Sequence, residues 1–168
     1  MASFEFLAVI VSLLGLSASI TYYASILRNA NKTRQTQMLM ELYQAYRDPQ
    51  FAQSWTEVLG QEYTDFDDFW QKYGMESNPT AWTKFQSVAR VFHGIGILVK
   101  RNMVDIELVE ELMGTMIAVS WSRMGPIVLG FRENRASLGR QWWTGKYKSI
   151  YGFEHLNNEL EKRSRTNP

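Results

Sequence analysis

The chain has 168 residues, a formal net charge of +1 and no cysteine. The near-neutral charge excludes a general electrostatic attraction to nucleic acid, and the lack of cysteine excludes disulfide frameworks and thiolate chemistry. The length is sufficient for one domain with its own core after a first segment of about 30 residues.

The first element is an uncharged apolar stretch from Phe6 to Leu27, FLAVIVSLLGLSASITYYASIL, which ends at Arg28. As a helix it would be roughly 33 Å long, close to the roughly 30 Å hydrocarbon core of a bilayer. A signal peptide would have basic residues before a shorter apolar core, and a core helix would show a polar stripe. We therefore predict a transmembrane anchor over residues 1–30, with a cleaved signal peptide and a buried core helix as the alternatives.

The charges beside this stretch predict its orientation. Arg28, Lys32 and Arg34 follow it, whereas no Lys or Arg precedes it. Positive charge next to a span favours the cytoplasmic side, and tyrosine side chains such as Tyr22 and Tyr23 suit the headgroup layer. We expect a single-pass membrane protein with its N-terminus outside and its C-terminal part in the cytoplasm.

Small residues recur in the apolar stretch at steps of four, three and four. At about 100° per residue they fall within about 60° of arc, opposite bulky side chains that suit lipid. These small residues are Ala8, Ser12, Gly15 and Ser19. Close backbone approach across small residues, with Ser hydroxyls available for hydrogen bonds, drives helix association in a bilayer. We predict packing against another transmembrane helix, from a second copy or a larger complex; the alternative is a chance alignment in a helix that serves only as a tether.

Residues 31–168 show helical periodicity throughout, with no sustained alternation of period two. The anchor helix is expected to continue to Asp48, because nothing before it is a strong helix breaker. Two later helices are expected to begin where an N-cap residue precedes proline, at Asp48-Pro49 and Asn78-Pro79. The predicted fold class is all-α, with one N-terminal transmembrane helix that extends into a cytoplasmic bundle of about five helices.

The two longest predicted helices of this domain have apolar faces. The first has the buried stripe Trp82, Phe85, Val88, Ala89, Phe92 and Ile95. The second is capped by Asp105 and has the stripe Val109, Leu112, Met113, Met116, Ile117, Ser120 and Trp121. Pro126 interrupts the second pattern and is expected to kink the helix or to end it near Gly125. A last amphipathic helix is predicted from Phe153 to Arg163.

Three segments carry a resemblance to a known family: FHGIGILVKRNMVDIELVEELMG, SWSRMGPIVLGFRENR and YGFEHLNNEL. They resemble an uncharacterised bacterial and archaeal family of small proteins with one N-terminal span and a helix-rich cytoplasmic domain. The resemblance covers most of the chain after the span and implies an anchored helical domain. Because the function of that family is unknown, it implies no activity and no catalytic residue.

The residue patterns favour no catalytic, cofactor or metal site. His93 has no second ligand at helical spacing, so we expect it to be structural. His155 follows Glu154, and adjacent helical residues point apart. The Gly94-Ile95-Gly96 triplet lacks the third glycine of a dinucleotide motif, and we expect it where two helices approach closely. The acidic run Asp65–Asp68 lacks the spacing of a calcium loop and suits helix capping and surface charge.

The stretch GRQWWTGKYKSIYGF interleaves aromatic and basic residues. Such side chains suit a lipid headgroup layer or a partner surface. Two alternatives are that they cover the edge of the core and that they stack on nucleic-acid bases; the net charge and the lack of a nucleic-acid motif disfavour the second. The residues predicted at a lipid or partner surface are Arg140, Trp142, Trp143, Lys146 and Lys148.

The function that we expect is a non-catalytic, membrane-anchored interaction domain or an accessory subunit of a membrane complex. Its expected partners are the lipid bilayer and another transmembrane helix, with no nucleic acid and no cofactor. The alternative is an anchored enzyme or ligand sensor at the inner membrane face. Its site would be lined by the carboxylates of residues 105–111 and by Arg132 or Arg135.

Overall fold

The computed structural model describes residues 2–133 and 150–166. These ranges contain six helices and no strand, so the protein is all-α, as predicted. In chain order the helices are α1 (Ala2–Arg47), α2 (Pro49–Leu59), α3 (Phe66–Tyr73), α4 (Pro79–Lys100), α5 (Ile106–Glu133) and α6 (Tyr151–Thr166). Five helices follow α1 in the described ranges, in agreement with the expected bundle.

Contacts divide the chain into two compact units, residues 1–38 and residues 39–168. In the first unit, every described side chain from Glu5 to Arg34 is exposed. Helix α1 continues without interruption from the apolar stretch to Arg47, which confirms the predicted continuity of the helix.

Helix starts in the second unit are set by side chains that accept a hydrogen bond from a backbone N–H of the first turn. The capping residues are Asp48 for α2, Asp65 for α3, Asn78 for α4 and Asp105 for α5, with donor–acceptor distances from 2.9 to 3.1 Å. Proline occupies the start of α2 and α4, where its missing N–H has no intrahelical acceptor. The caps Asp48, Asn78 and Asp105 were predicted, because a cap depends on residues close in sequence; for α3 the sequence left Thr64 and Asp65 as alternatives, and Asp65 is the cap.

The core of the second unit is centred on α4 and α5. Five of the six residues predicted for the α4 stripe are buried, and Trp82 is half-buried. On α5 the buried residues include Val109, Met113, Met116, Ile117 and Ser120. The prediction for Leu112 is wrong, since it is 37% exposed. It lies about 100° around the helix from Met113, just outside the buried arc.

Helix α5 continues past Pro126 to Glu133, so the suggested end near Gly125 does not occur. Proline cannot donate to the carbonyl of Ser122, one turn earlier. Both Ser122 and Pro126 lie on the exposed side of α5, where water can satisfy the freed carbonyl. The helix therefore tolerates proline at this position.

Helix α6 runs antiparallel to α5. Near its start, the rings of Phe153 and Trp121 form a T-shaped pair with centroids 5.0 Å apart, and near its end Arg163 pairs with Glu110 of the first turns of α5. Phe153 also stacks on Phe92 of α4 at 4.9 Å. The three residues predicted to face inward, Phe153, Leu156 and Leu160, are all buried.

Candidate functional site

The most extensive exposed apolar surface lies on α1. Its large apolar side chains between Phe6 and Leu27 are 38% to 67% exposed. Transfer of these side chains from water to an apolar environment would contribute on the order of 10 to 20 kcal/mol. Exposed apolar surfaces of this size and length are typical of segments that contact lipid or another protein.

Two helices have the length and composition of a membrane span. The segment Glu5–Glu41 of α1 has none of its most apolar window buried, whereas Ile106–Phe131 of α5 has 44% buried. The buried stripe of α5 identifies it as a core helix of the second unit. The apolar part of α1 has the length and composition of a membrane span, and a signal sequence near the N-terminus can meet the same criteria.

The predicted stripe of small residues lies on the exposed surface of α1. The hydroxyls of Ser12 and Ser19 donate to the carbonyls of Ala8 and Gly15, each at 2.8 Å. A Cβ atom added at Gly15 would have no heavy atom within 4 Å outside its own helix backbone. The stripe is thus open to close approach, while its Ser protons are already used within the helix. Packing against a second helix remains a prediction.

His93 holds the start of α6. Its Nδ1 atom accepts a hydrogen bond from the backbone N–H of Gly152 at 3.1 Å. This N–H lies in the first turn of α6, where no intrahelical acceptor exists, so the imidazole of another helix replaces a local cap. The prediction of a structural His93 is confirmed. Burial lowers the pKa of His93, and a backbone hydrogen bond at Ile150 acts in the opposite direction.

The predicted close approach at the Gly94-Ile95-Gly96 triplet is also confirmed. A Cβ atom at Gly96 would lie 1.8 Å from the carbonyl oxygen of Gly152. A Cβ atom at Gly152 would lie 2.3 Å from the carbonyl oxygen of His93. Glycine is therefore required on both helices for α4 and α6 to cross at this separation.

A second polar connection joins α5 to the segment after α2. The Arg123 guanidinium donates to the carbonyl of Gln61 at 2.8 Å and to that of Leu59 at 3.4 Å, and the Tyr63 hydroxyl donates to the Arg123 carbonyl. Burial raises the pKa of Tyr63, and the nearby positive charge of Arg123 opposes that shift. Sequence reasoning missed this connection, because its partners are more than 60 residues apart.

One buried polar atom has no partner in the described part of the chain. Gln61 is 7% exposed, and its Oε1 atom accepts no hydrogen bond there. By contrast, the fully buried hydroxyl of Ser120 has a partner, because its Oγ atom accepts a hydrogen bond from the indole N–H of Trp55 at 2.8 Å. That bond joins α2 to α5 and explains a serine within an apolar stripe. The sequence analysis placed Ser120 in the apolar stripe of α5 but did not predict its hydrogen bond with Trp55.

The carboxylates considered for an enzyme site have structural contacts. Asp105 caps α5, while Glu110 and Glu107 accept ion pairs from Arg163 at 2.7 and 3.4 Å. The carboxylate of Glu110 raises the pKa of Arg163. The Arg132 side chain and all of Arg135 lie outside the described residues. Among the described residues, no three His, Asp or Glu side chains form a group that would hold a metal.

Four aromatic rings form a cluster that periodicity did not reveal. Phe131 at the end of α5 contacts Phe66 and Trp70 of α3 and Trp82 of α4, with ring centroids 4.9 to 5.6 Å apart. Phe66 also lies against Gly130, where a Cβ atom would approach its ring to 2.5 Å. The cluster joins three helices and is part of the core rather than a ligand site.

The predicted lipid or partner surface at Arg140, Trp142, Trp143, Lys146 and Lys148 lies outside the described residues.

The acidic run from Asp65 to Asp68 was predicted to serve helix capping and surface charge. Asp65 caps α3, and Asp68 accepts a 2.9 Å ion pair from Lys72, which lowers the pKa of Asp68. Capping and surface charge thus explain these two residues, as predicted.

Comparison with known proteins gives one match to a family. No curated protein and no solved structure matches the chain. Residues 2–138 match a family described as a domain of unknown function, DUF4760. The match includes α1 to α5 and covers more than half of the sequence. The chain therefore belongs to the DUF4760 family.

Proposed function

We propose that this protein is a non-catalytic, membrane-anchored accessory subunit, whose helical domain holds a partner at the membrane surface. The observation that carries the proposal is the apolar surface of α1 from Phe6 to Leu27, where every side chain is exposed. A bilayer would cover the whole circumference of this helix, whereas a groove on a protein would cover one side.

The proposed orientation places the N-terminus outside and the bundle in the cytoplasm. Its support is the charge asymmetry of α1, which has three basic residues just after the apolar part and no Lys or Arg before it. Positive residues within about 15 to 20 residues of a span favour the cytoplasmic side.

The proposed partner is a second membrane helix, recognised through Ala8, Ser12, Gly15 and Ser19. Support comes from their exposure and from the open space around Gly15. The non-catalytic role is supported by the structural use of the polar groups in the second unit. His93 caps α6, and the Glu107 and Glu110 carboxylates pair with Arg163.

The anchor is tested by carbonate extraction of membranes from cells that express the full chain. We expect wild-type protein to stay in the membrane pellet. Each Arg at a helix centre costs about 2.5 to 3.5 kcal/mol of insertion, so Leu14→Arg with Leu16→Arg should release the protein. The matched control is Leu112→Arg with Val119→Arg, at exposed apolar positions of α5, which should leave it in the pellet.

Release of the wild-type protein by carbonate would contradict the anchor. A mature chain that begins near Thr21 would show that the stretch is a cleaved signal. Orientation is tested by protease treatment of intact cells, where loss of the helical bundle would contradict the proposed side. Copurification from native membranes should yield a stoichiometric partner, and a chain that purifies alone would contradict the accessory role.

A further inference from the structure

Three cations lie immediately beyond the apolar part of α1. Arg28, Lys32 and Arg34 are exposed, and none forms an ion pair with another described residue. Glu41 is the first acidic residue after Glu5, so the helix from residue 6 to residue 40 carries three positive charges and no negative one. This charge is not compensated within α1.

The three cations lie within an arc of about 160° around the helix axis. At about 100° per residue, Lys32 lies roughly 40° and Arg34 roughly 240° around the axis from Arg28. A helix that lies flat on a membrane needs its basic residues on one side. Such a helix also needs large apolar side chains on its other side, and residues 29 to 37 contain none. This part of α1 therefore suits a helix that passes through the headgroup layer.

The positions of the three cations along the helix axis also fit the headgroup layer. Arg28 and Arg34 are separated by roughly 9 Å along the axis, and the headgroup region is roughly 5 to 8 Å thick on each side of the hydrocarbon core. Side chains on a helix lean toward its N-terminus, which at these positions is the direction of the apolar stretch. Long Arg and Lys side chains therefore reach back to the headgroups, even from Arg34.

We propose that Arg28, Lys32 and Arg34 form a binding site for anionic phospholipid headgroups, which selects these lipids from the surrounding bilayer. The site rests on the proposed membrane span and adds a defined lipid class to it. The negative group that these cations bind is the phosphate of a headgroup with a net negative charge, such as the headgroup of phosphatidylglycerol. Zwitterionic phosphatidylcholine carries a compensating positive charge and binds less well.

The experiment measures lipid selectivity around the full chain in vesicles of phosphatidylcholine that contain phosphatidylglycerol. Spin-labelled versions of each lipid report the fraction that contacts the protein. We expect wild type to enrich phosphatidylglycerol roughly two- to fivefold over phosphatidylcholine at low salt, because a headgroup that meets one cation near the surface gains up to about 1 kcal/mol, a factor of about five. The enrichment should fall as salt screens the charges.

The test variant combines Arg28→Gln, Lys32→Gln and Arg34→Gln, since glutamine retains helix propensity. The matched control, Arg47→Gln with Arg90→Gln and Arg101→Gln, removes the same charge from exposed positions of the second unit. Selectivity should disappear in the test variant and persist in the control.

Three results would overturn the lipid site. The first is that the wild-type protein does not enrich phosphatidylglycerol. The second is that the control variant loses as much lipid selectivity as the test variant. The third is that the test variant keeps its lipid selectivity but loses a copurifying acidic protein. Carbonate extraction of the same samples separates this failure from failure of the span. A wild-type protein that resists carbonate extraction but shows no lipid selectivity has the membrane span without the lipid site. A wild-type protein that carbonate extracts has neither the span nor the lipid site.

Discussion

Replacement of Gly96 by alanine should destabilise the helical bundle more than any other Gly→Ala change in α4. The added Cβ atom would lie 1.8 Å from the carbonyl oxygen and 2.4 Å from the carbonyl carbon of Gly152. Ordinary contacts begin at 3.4 Å, so α4 and α6 must separate by about 1.6 Å. The opposing atoms belong to the backbone and cannot rotate away as a side chain would.

The energetic cost follows from the contacts that such a shift would break. It would weaken the 4.9 Å stack of Phe92 on Phe153 and the 3.1 Å hydrogen bond from Gly152 to His93. Overpacking costs about 1 to 3 kcal/mol and a lost hydrogen bond about 1 kcal/mol. Alanine regains about 0.5 to 1 kcal/mol through its helix propensity, which leaves a net loss of roughly 1 to 3.5 kcal/mol.

Gly94 provides the matched control two residues earlier in the same helix. A Cβ atom there would meet nothing within 4 Å. Gly94→Ala should therefore raise the free energy of unfolding by about 0.5 to 1 kcal/mol through helix propensity alone.

The measurement is a urea titration of the full chain in detergent micelles, followed by tryptophan fluorescence. Trp121 reports on the crossing because its ring lies 5.0 Å from that of Phe153. We expect Gly94→Ala to be the most stable of the three proteins, wild type to be intermediate and Gly96→Ala to be the least stable. If both alanine variants are equally stable, the helices do not cross at the observed separation and the reasoning from Gly96 fails.

Three further predictions test other contacts. Stability should decline as the pH falls below about 6.5, because the unfolded chain protonates His93 at its ordinary pKa while burial lowers the pKa in the fold; urea titrations from pH 5 to 7.5 should show a flatter profile for His93→Gln. Ser120→Ala should lower the free energy of unfolding by about 1 to 2 kcal/mol, and by less than about half of that in a Trp55→Phe background, where the indole donor is absent. In crosslinking of native membranes, Gly15→Ile should weaken helix association and Leu14→Ile should not, and equal association would show that the small-residue stripe is incidental.

Features that depend on nearby residues were predicted well from the sequence. The capping side chains act on backbone groups two or three residues away, so the starts of α2, α4 and α5 followed from residue type and spacing. The buried stripes followed from the 3.6-residue period. The error at Leu112 arose at the edge of the buried arc, where a step of one residue turns the side chain by about 100°.

Features that depend on distant residues were not predicted. The contact of Arg123 with the Leu59 and Gln61 carbonyls requires α5 to lie beside the end of α2, and no local pattern specifies this. Gly96 was an intermediate case. Its small size indicated a close approach, but the partner, Gly152, became evident only in the fold.

The comparison of α1 with α5 shows why periodicity carries more information than composition about an apolar helix. Both helices are long and apolar enough to span a bilayer. In α5 the polar or charged exposed residues Glu111, Ser122 and Arg123 lie outside the buried arc, so one side meets water and the other the core. From Phe6 to Leu27 no charged residue occurs on any side of α1. The apolar part of α1 therefore lacks the charged face that a core helix turns to water, and it has the length and composition of a membrane span or a signal sequence.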